Sequence, residues 1–198
     1  MKKIIRVSVS LIVLVSLIGC SSKAVASTNQ VSNKDLLITE KTTQQFSDEQ
    51  VPEEDIIKIV NAGINATSAV NKQDWHFSVV TNKDLLNEFK TKINFGGNRA
   101  QFGDGPLEIV ISCGEKGEYD AGLATQNIVD YAVLSGYGIK ILSSPCKIID
   151  ENYKERLGIP NNMHSVGVVI IGKVKEGVDG VTSASKRKSF DEVVTMIK

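Results

Sequence analysis

Histidine and cysteine are scarce in this chain, with two histidines and three cysteines among 198 residues. A nucleophile activated by a base needs a histidine with partners in reach, and the sequence around His76 and His164 offers none. His76 stands beside Trp75 in a short β-rich stretch, and His164 falls where a turn is expected; both read as surface or packing residues. Cys113 and Cys146 lie in Ile-Ser-Cys-Gly and Ser-Pro-Cys-Lys, which lack the spacing of metal ligands. They read as two buried free thiols, with a single disulfide as the alternative. No Gly-x-Gly-x-x-Gly follows a strand, and there is no Walker-type phosphate loop, internal repeat or low-complexity block. Net charge is missing too, since 23 Lys and Arg balance 23 Asp and Glu. Without a basic face, nucleic acid is not an expected partner.

What is present begins at the N-terminus. Lys2, Lys3 and Arg6 precede an apolar stretch from Val7 to Ile18, broken only by Ser8, Ser10 and Ser16. Leu17-Ile18-Gly19-Cys20 then sets a small residue directly before a cysteine. A charged start, a short apolar core and a small-residue end describe a secretory signal, and the run is too short to span a membrane comfortably. The Leu-x-Gly-Cys ending resembles the lipobox of bacterial lipoproteins, which implies cleavage before Cys20 and a diacylglycerol on its thiol. The expected organisation is a signal peptide over 1–19, a lipidated Cys20 with a flexible tether over 20–34, and a folded domain over 35–198. A retained N-terminal anchor helix is the alternative. Either way the domain is expected on the outer face of a bacterial cytoplasmic membrane, attached to its lipid. Removal of 1–19 takes away three positive charges and leaves 20 Lys and Arg against 23 Asp and Glu, a net charge of −3. Ser21 to Asn33 is rich in Ser, Ala, Asn and Lys without an apolar period, as a tether should be.

Within the domain, Pro52-Glu53-Glu54-Asp55 opens a helix, with proline in the first turn and acids near the positive end of the helix dipole. Ile56, Ile59, Val60, Gly63 and Ile64 share one of its faces. Trp75 to Val80 reads as a strand. Asn82 caps a second helix with apolar positions Leu85, Leu86, Phe89 and Ile93. Leu107 to Ser112 is a strand after Gly105-Pro106. Ala121 to Leu134 is apolar nearly all round, with a thin polar stripe at Thr125, Gln126 and Asn127, so it must be covered on most sides by core or by another subunit. Ile139 to Leu142 and Val166 to Ile171 suit central strands. A short polar helix is expected over Glu151 to Leu157, and one amphipathic helix over Lys186 to Lys198 through Phe190, Val193, Val194 and Ile197. Helices interspersed with short strands indicate an α/β or α+β layering.

One connection carries unusual chemistry. Between the first helix and first strand runs Asn65-Ala-Thr-Ser-Ala-Val-Asn71-Lys-Gln73-Asp-Trp75-His-Phe77. Ser68, Asn71 and Gln73 supply hydroxyl and amide groups that both donate and accept, which suits the edge of a planar heterocycle. An ordinary polar helix-to-strand loop is the other reading.

The order of segments adds to this. Thr42-x-x-x-Phe46, Val51-Pro52-x-x-Asp55 and Ser68-Ala69-x-Asn71-x-Gln73-x-Trp75-x-Phe77 are followed by Asp120-Ala-Gly122-x-Ala124-x-Gln126-Asn127 and Gly136-Tyr-Gly138. Leu157-Gly158-Ile159-Pro160, Gly172-Lys173 and Lys186-Arg187-Lys188-x-Phe190-x-Glu192-Val193-Val194 complete the series. In this order the motifs resemble those of the FMN-dependent nitroreductase family, over about residues 36–198. The resemblance implies an α+β fold with a mixed sheet flanked by helices, and a homodimer with FMN at the subunit interface. It also implies an oxidoreductase in which flavin takes electrons from NADH or NADPH and passes them to a nitroaromatic, a quinone or a similar small-molecule acceptor. No protein acid or base is obligatory for that chemistry, since the flavin carries it.

Residue by residue, the resemblance assigns Lys41, Thr42 and Gln44 to the phosphate region, and Ser68, Ala69, Asn71 and Gln73 to the ring and ribityl chain from the other subunit. It puts the loop Leu142 to Pro145, with Leu142 and Ser143 as its contacts, beside the ring, and Lys186, Arg187 and Lys188 at the phosphate. Glu40 and Gln44 occupy positions that are basic in the family. A non-catalytic binding protein that kept this fold is therefore the alternative function, and flavin chemistry of another kind, such as dehalogenation or ring fragmentation, is a third.

Overall fold

The computed structural model describes residues 32–38, 42–93, 101–177, 181 and 186–198. Cys20, the apolar stretch before it, Glu40 and Lys41 lie outside the described residues.

Two strands form the centre because their sequences can be buried on both faces. β2 (Leu107–Cys113) is buried at every position, and β4 (His164–Gly172) carries Val168 to Ile171 with no measurable exposure. They pair antiparallel and are flanked by β1 (Trp75–Val80) and β3 (Gly138–Leu142), giving the order β1-β2-β4-β3 with every pair antiparallel. Among the described residues the sheet becomes mixed only where Thr42 bridges Ile139 in parallel, with the Thr43 amide donating to the Ile139 carbonyl at 2.8 Å. β3 was expected at the centre and lies at the edge, with Ile141 48% exposed. Its apolar run is satisfied by one helical layer and by the Thr42–Phe46 segment laid along it, without a full strand on the far side.

Alternation along the strands divides the core in two. Ile109, Ile111, Val169 and Ile171 face one side, where α2 (Glu53–Ile64) and α4 (Glu118–Leu134) pack on each other and on the sheet. The helices approach closely because Gly63 has no side chain; a Cβ there would stand 2.7 Å from Ile128 Cγ1. Val110 and Val168 face the other side, against α3 (Lys83–Lys92) and α5 (Cys146–Asn152). Phe89 anchors that layer, stacked on Phe102 at 4.1 Å and edge-on to Tyr153 at 5.0 Å. The result is an α+β sandwich of helix, sheet and helix.

Asn82 caps α3 as its sequence indicates, its side chain accepting from the Leu85 amide at 2.9 Å. Several boundaries differ from the sequence reading. The short helix expected over Glu151 to Leu157 begins instead at Cys146, because Pro145 fits a helix start, and turns follow from Tyr153. His164 opens β4 and is not in a turn. The helix expected over Lys186 to Lys198 shrinks to α6 (Phe190–Val193), held by a capping box between Ser189 and Glu192. Its apolar side chains are exposed, so among the described residues no packing supports a longer helix. A further short helix, α1 (Asn33–Ile38), lies beside α4 and straddles the border expected between tether and domain. Among the described residues no helix is long and apolar enough to cross a membrane.

Candidate functional site

The polar connection between α2 and β1 is a shaped loop. A 3-10 turn over Ala69–Asn71 precedes the strand, and Val70, Asn71 and Gln73 all adopt left-handed backbone, with φ of 49°, 57° and 50°. Asparagine tolerates this region, whereas a β-branched valine does so at a cost of about 1–2 kcal/mol. Hydrogen bonds hold the shape. Ser68 Oγ accepts from the Gln73 amide at 3.0 Å, and the Ser68 and Ala69 carbonyls accept from the Asn71 and Lys72 amides, each at 3.0 Å. Lys72 Nζ meets Asp74 Oδ2 at 2.9 Å. The Ala69 amide reaches out of the loop to Asp120 Oδ2, 3.1 Å away in the first turn of α4. The loop therefore turns Ala69, Val70, Asn71 and Gln73 to solvent and keeps Ser68 half-buried.

A second group gathers along β3. Thr42 runs beside Ile139, and the approach is close enough that a Cβ on Gly138 would stand 2.3 Å from Thr43 Oγ1. Gln44 Nε2 donates to the Thr42 carbonyl at 3.3 Å. Gln44 Oε1 and Thr43 Oγ1 are buried with no hydrogen-bond partner among the described residues. Leu142 ends the same strand, and the exposed Ser143 accepts through its carbonyl from the Cys146 amide at 3.2 Å. Thr42, Gln44, Leu142 and Ser143 thus share one sheet edge, while Ser68 to Gln73 belong to the other. Three strand spacings separate β1 from β3, about 14 Å. One chain does not bring the two groups together. Lys186, Arg187 and Lys188 lie on an exposed stretch leading into α6.

Neither group contains an obvious acid or nucleophile. His164 Nε2 stands 3.3 Å from Glu118 Oε1 at the open end of β4. Both cysteines are free thiols, Cys113 buried as expected and Cys146 only partly so. Burial first, then nearby carboxylates, push each thiol up to about 11, so neither is a nucleophile near neutral pH. Among the described residues no cluster of His, Cys, Asp and Glu could hold a metal ion. The arrangement can bind and orient a polar, planar ligand through amides and hydroxyls.

Asp120 was missed as a site residue. It opens the Asp120-Ala-Gly122 motif, but an acid in the first turn of a helix ordinarily signals only the helix dipole, and nothing in the spacing announces a bond 51 positions away.

A wide apolar surface also remains open. Ile57, Ile64 and Val79 are exposed beside a groove of about 630 Å³ between α2 and the free edge of β1. Phe190, Val193, Met196 and Ile197 in the tail are exposed as well.

Residues 39–102 match the sequence model of the Nitroreductase family. A protein of Archaeoglobus fulgidus, provisionally named NADH dehydrogenase/NAD(P)H nitroreductase, is 31% identical over 154 residues, covering 73% of this chain and 86% of its own length. A protein of the same provisional name from Methanothermobacter thermautotrophicus is 29% identical over 154 residues, covering 72% and 79%. The fold is similar to a crystal structure of a nitroreductase with bound FMN from Bacteroides fragilis, with a TM-score of 0.70 and 19% identity over 84% of this chain and 99% of that one.

Proposed function

The chain belongs to the nitroreductase family, and from that premise we propose that it is an FMN-dependent oxidoreductase, working as a homodimer tethered to the outer face of a bacterial cytoplasmic membrane. The observation that carries this reading is the division of the polar groups between the two edges of the sheet. A second copy supplies from its own β1 side the loop that the β3 side lacks. The open groove beside β1 and the uncovered tail are apolar surfaces that such a copy can close.

The residues present fit the flavin. Thr43 Oγ1 and Gln44 Oε1 are buried polar atoms still without partners, which a polar ligand beside β3 could satisfy. Ser68 Oγ accepts from Gln73 and keeps its own proton available to donate. Asn71 and Gln73 bring amides able to match both donors and acceptors of a pyrimidine edge. By the family resemblance, Lys41 and Thr42 would meet the phosphate, and Lys186, Arg187 and Lys188 would give it charge-assisted partners. When bound, FMN supplies the electron transfer, taking electrons from NADH, NADPH or another reduced donor and passing them to a nitroaromatic, quinone or similar small acceptor. On the outer face of a membrane a quinol or an exported redox protein is the donor class within reach.

The test is direct. Purified chain should be yellow, carry flavin absorbance and scatter light as a dimer at micromolar concentration. A colourless monomer that stays so with added FMN would favour the second reading, a binding protein that kept the fold, which Glu40 and Gln44 at family basic positions support. Tethering is tested separately: Cys20→Ser should release the protein from membranes, and continued membrane association would mean a retained anchor helix.

A further inference from the structure

We propose that Asp120 is a positioning residue, whose carboxylate holds the Ala69 amide and thereby fixes the Ser68–Gln73 loop in the shape that meets the flavin. The inference rests on the reading of the chain as a flavoprotein, and the measurements below separate the two.

Among the described residues, the loop's other hydrogen bonds begin and end within a few residues. Asn71 and Lys72 donate to the Ser68 and Ala69 carbonyls, Gln73 donates to Ser68 Oγ, and the Trp75 amide donates to the Gln73 carbonyl. Such bonds set a local shape but not its place on the domain. The Ala69–Asp120 bond ties the turn to α4, which is itself packed on α2 and on the sheet. It joins the turn at its first residue, immediately before the left-handed pair Val70 and Asn71. A chain forced into that region relaxes to commoner backbone unless its ends are held.

Helix-dipole stabilisation does not account for this carboxylate. Glu118, in the same first turn, is exposed and serves that purpose without burial. Asp120 is only 8% exposed, and a carboxylate is seldom so covered unless it has a specific partner. Its Oδ2 has one in Ala69 N, and the charge of Lys72 also feels it. The two roles predict different behaviour for an amide at this position. Asparagine keeps an oxygen able to accept from Ala69 but loses the negative charge.

The bond can be broken from either side. Asp120→Ala removes the acceptor. Ala69→Pro removes the donor, and it suits the site because Ser68 already has the extended backbone that a residue before proline prefers, with φ −141° and ψ 153°. Hydrogen exchange on flavin-free full chain should speed up across residues 71–75 in both variants, with the rest of the sheet still protected. In flavin titrations each variant should bind FMN and riboflavin about tenfold more weakly, by the same factor for both ligands. Asp120→Asn should recover most of the affinity, and the double variant should be no worse than either single one. Unchanged exchange, faster exchange with unchanged flavin affinity, failure of asparagine to rescue, or additive losses would each overturn the proposal. If wild-type chain takes up no flavin, the functional reading falls and takes this role with it, while the exchange data still report whether the tie exists.

Discussion

The two faces of the sheet and its two edges are built on different terms. On the faces, Ile59, Ile111 and Ile128 on one side and Phe89, Val110 and Ile149 on the other have no measurable exposure, and their packing is complete within one chain. At the edges, left-handed residues, unpartnered buried polar atoms and exposed apolar side chains accumulate. Thr42, Gln44, Leu142, Ser143 and the Ser68–Gln73 loop all lie on the second kind of ground. Stability here comes from the layers, and the edges are left unfinished where a ligand and a second copy can add the missing contacts.

The largest expected loss from a substitution is on the faces. Ile128→Ala leaves a cavity between α4, α2 and the sheet and should cost about 3 kcal/mol, read as a lower urea midpoint. Flavin affinity of the folded variant should hardly change. Equal loss of both would dissolve the distinction between face and edge.

Glu108 comes next, as the exception within the closed interior. Its carboxyl is wholly buried in β2 and accepts from the Gly103 amide at 2.7 Å, and burial pushes it up to about 8. Below the usual 4.5 both folded and unfolded chains keep the proton. Between 4.5 and 8 the unfolded chain releases it while the folded one does not, so stability falls as pH rises through that window, by on the order of several kcal/mol. Glu108→Gln should flatten this slope and raise the urea midpoint at pH 8 far more than at pH 5. An identical pH profile for the two proteins would mean Glu108 has a counter-charge in solution.

Arg187→Ala probes the exposed stretch before α6, where stability should not move. A charge-assisted phosphate contact is worth about 1.5–3 kcal/mol, so FMN should weaken roughly ten- to a hundredfold while riboflavin, lacking the phosphate, is unaffected. Equal losses for both ligands, or none, would remove Arg187 from the phosphate. The smallest effect is Asn82→Ala, which deletes the α3 cap and should lower stability by about 1 kcal/mol with no change in flavin binding.

Much of the layered interior was legible because its signals are periodic. Trp75 to Val80, the cap at Asn82 and the near-continuous apolar surface of Ala121 to Leu134 each follow from local spacing. Strand position was harder, since an apolar run reads alike at the centre and at an edge covered from one side, and β3 was misplaced for that reason. The last helix is shorter than its period suggests because periodicity cannot say whether a partner exists, and among the described residues Phe190 and Ile197 stay exposed. The site was legible only in outline. Ser68 and Gln73 were recognisable as hydrogen-bonding groups, but their mutual bond, the left-handed valine and the reach of Asp120 depend on contacts that spacing does not encode.

The two thiols bear on how long such a protein lasts. On the oxidising side of a membrane, where this chain is proposed to work, an unpaired cysteine is a chemical liability, open to sulfenic acid formation or to capture by another thiol. Attack begins from the thiolate, and with Cys113 and Cys146 both held near 11, about one in ten thousand carries that charge at pH 7. Cys113 is additionally shut inside the end of β2, between β1 and β4. Oxidation should therefore start at Cys146, the less buried of the two, and proceed slowly.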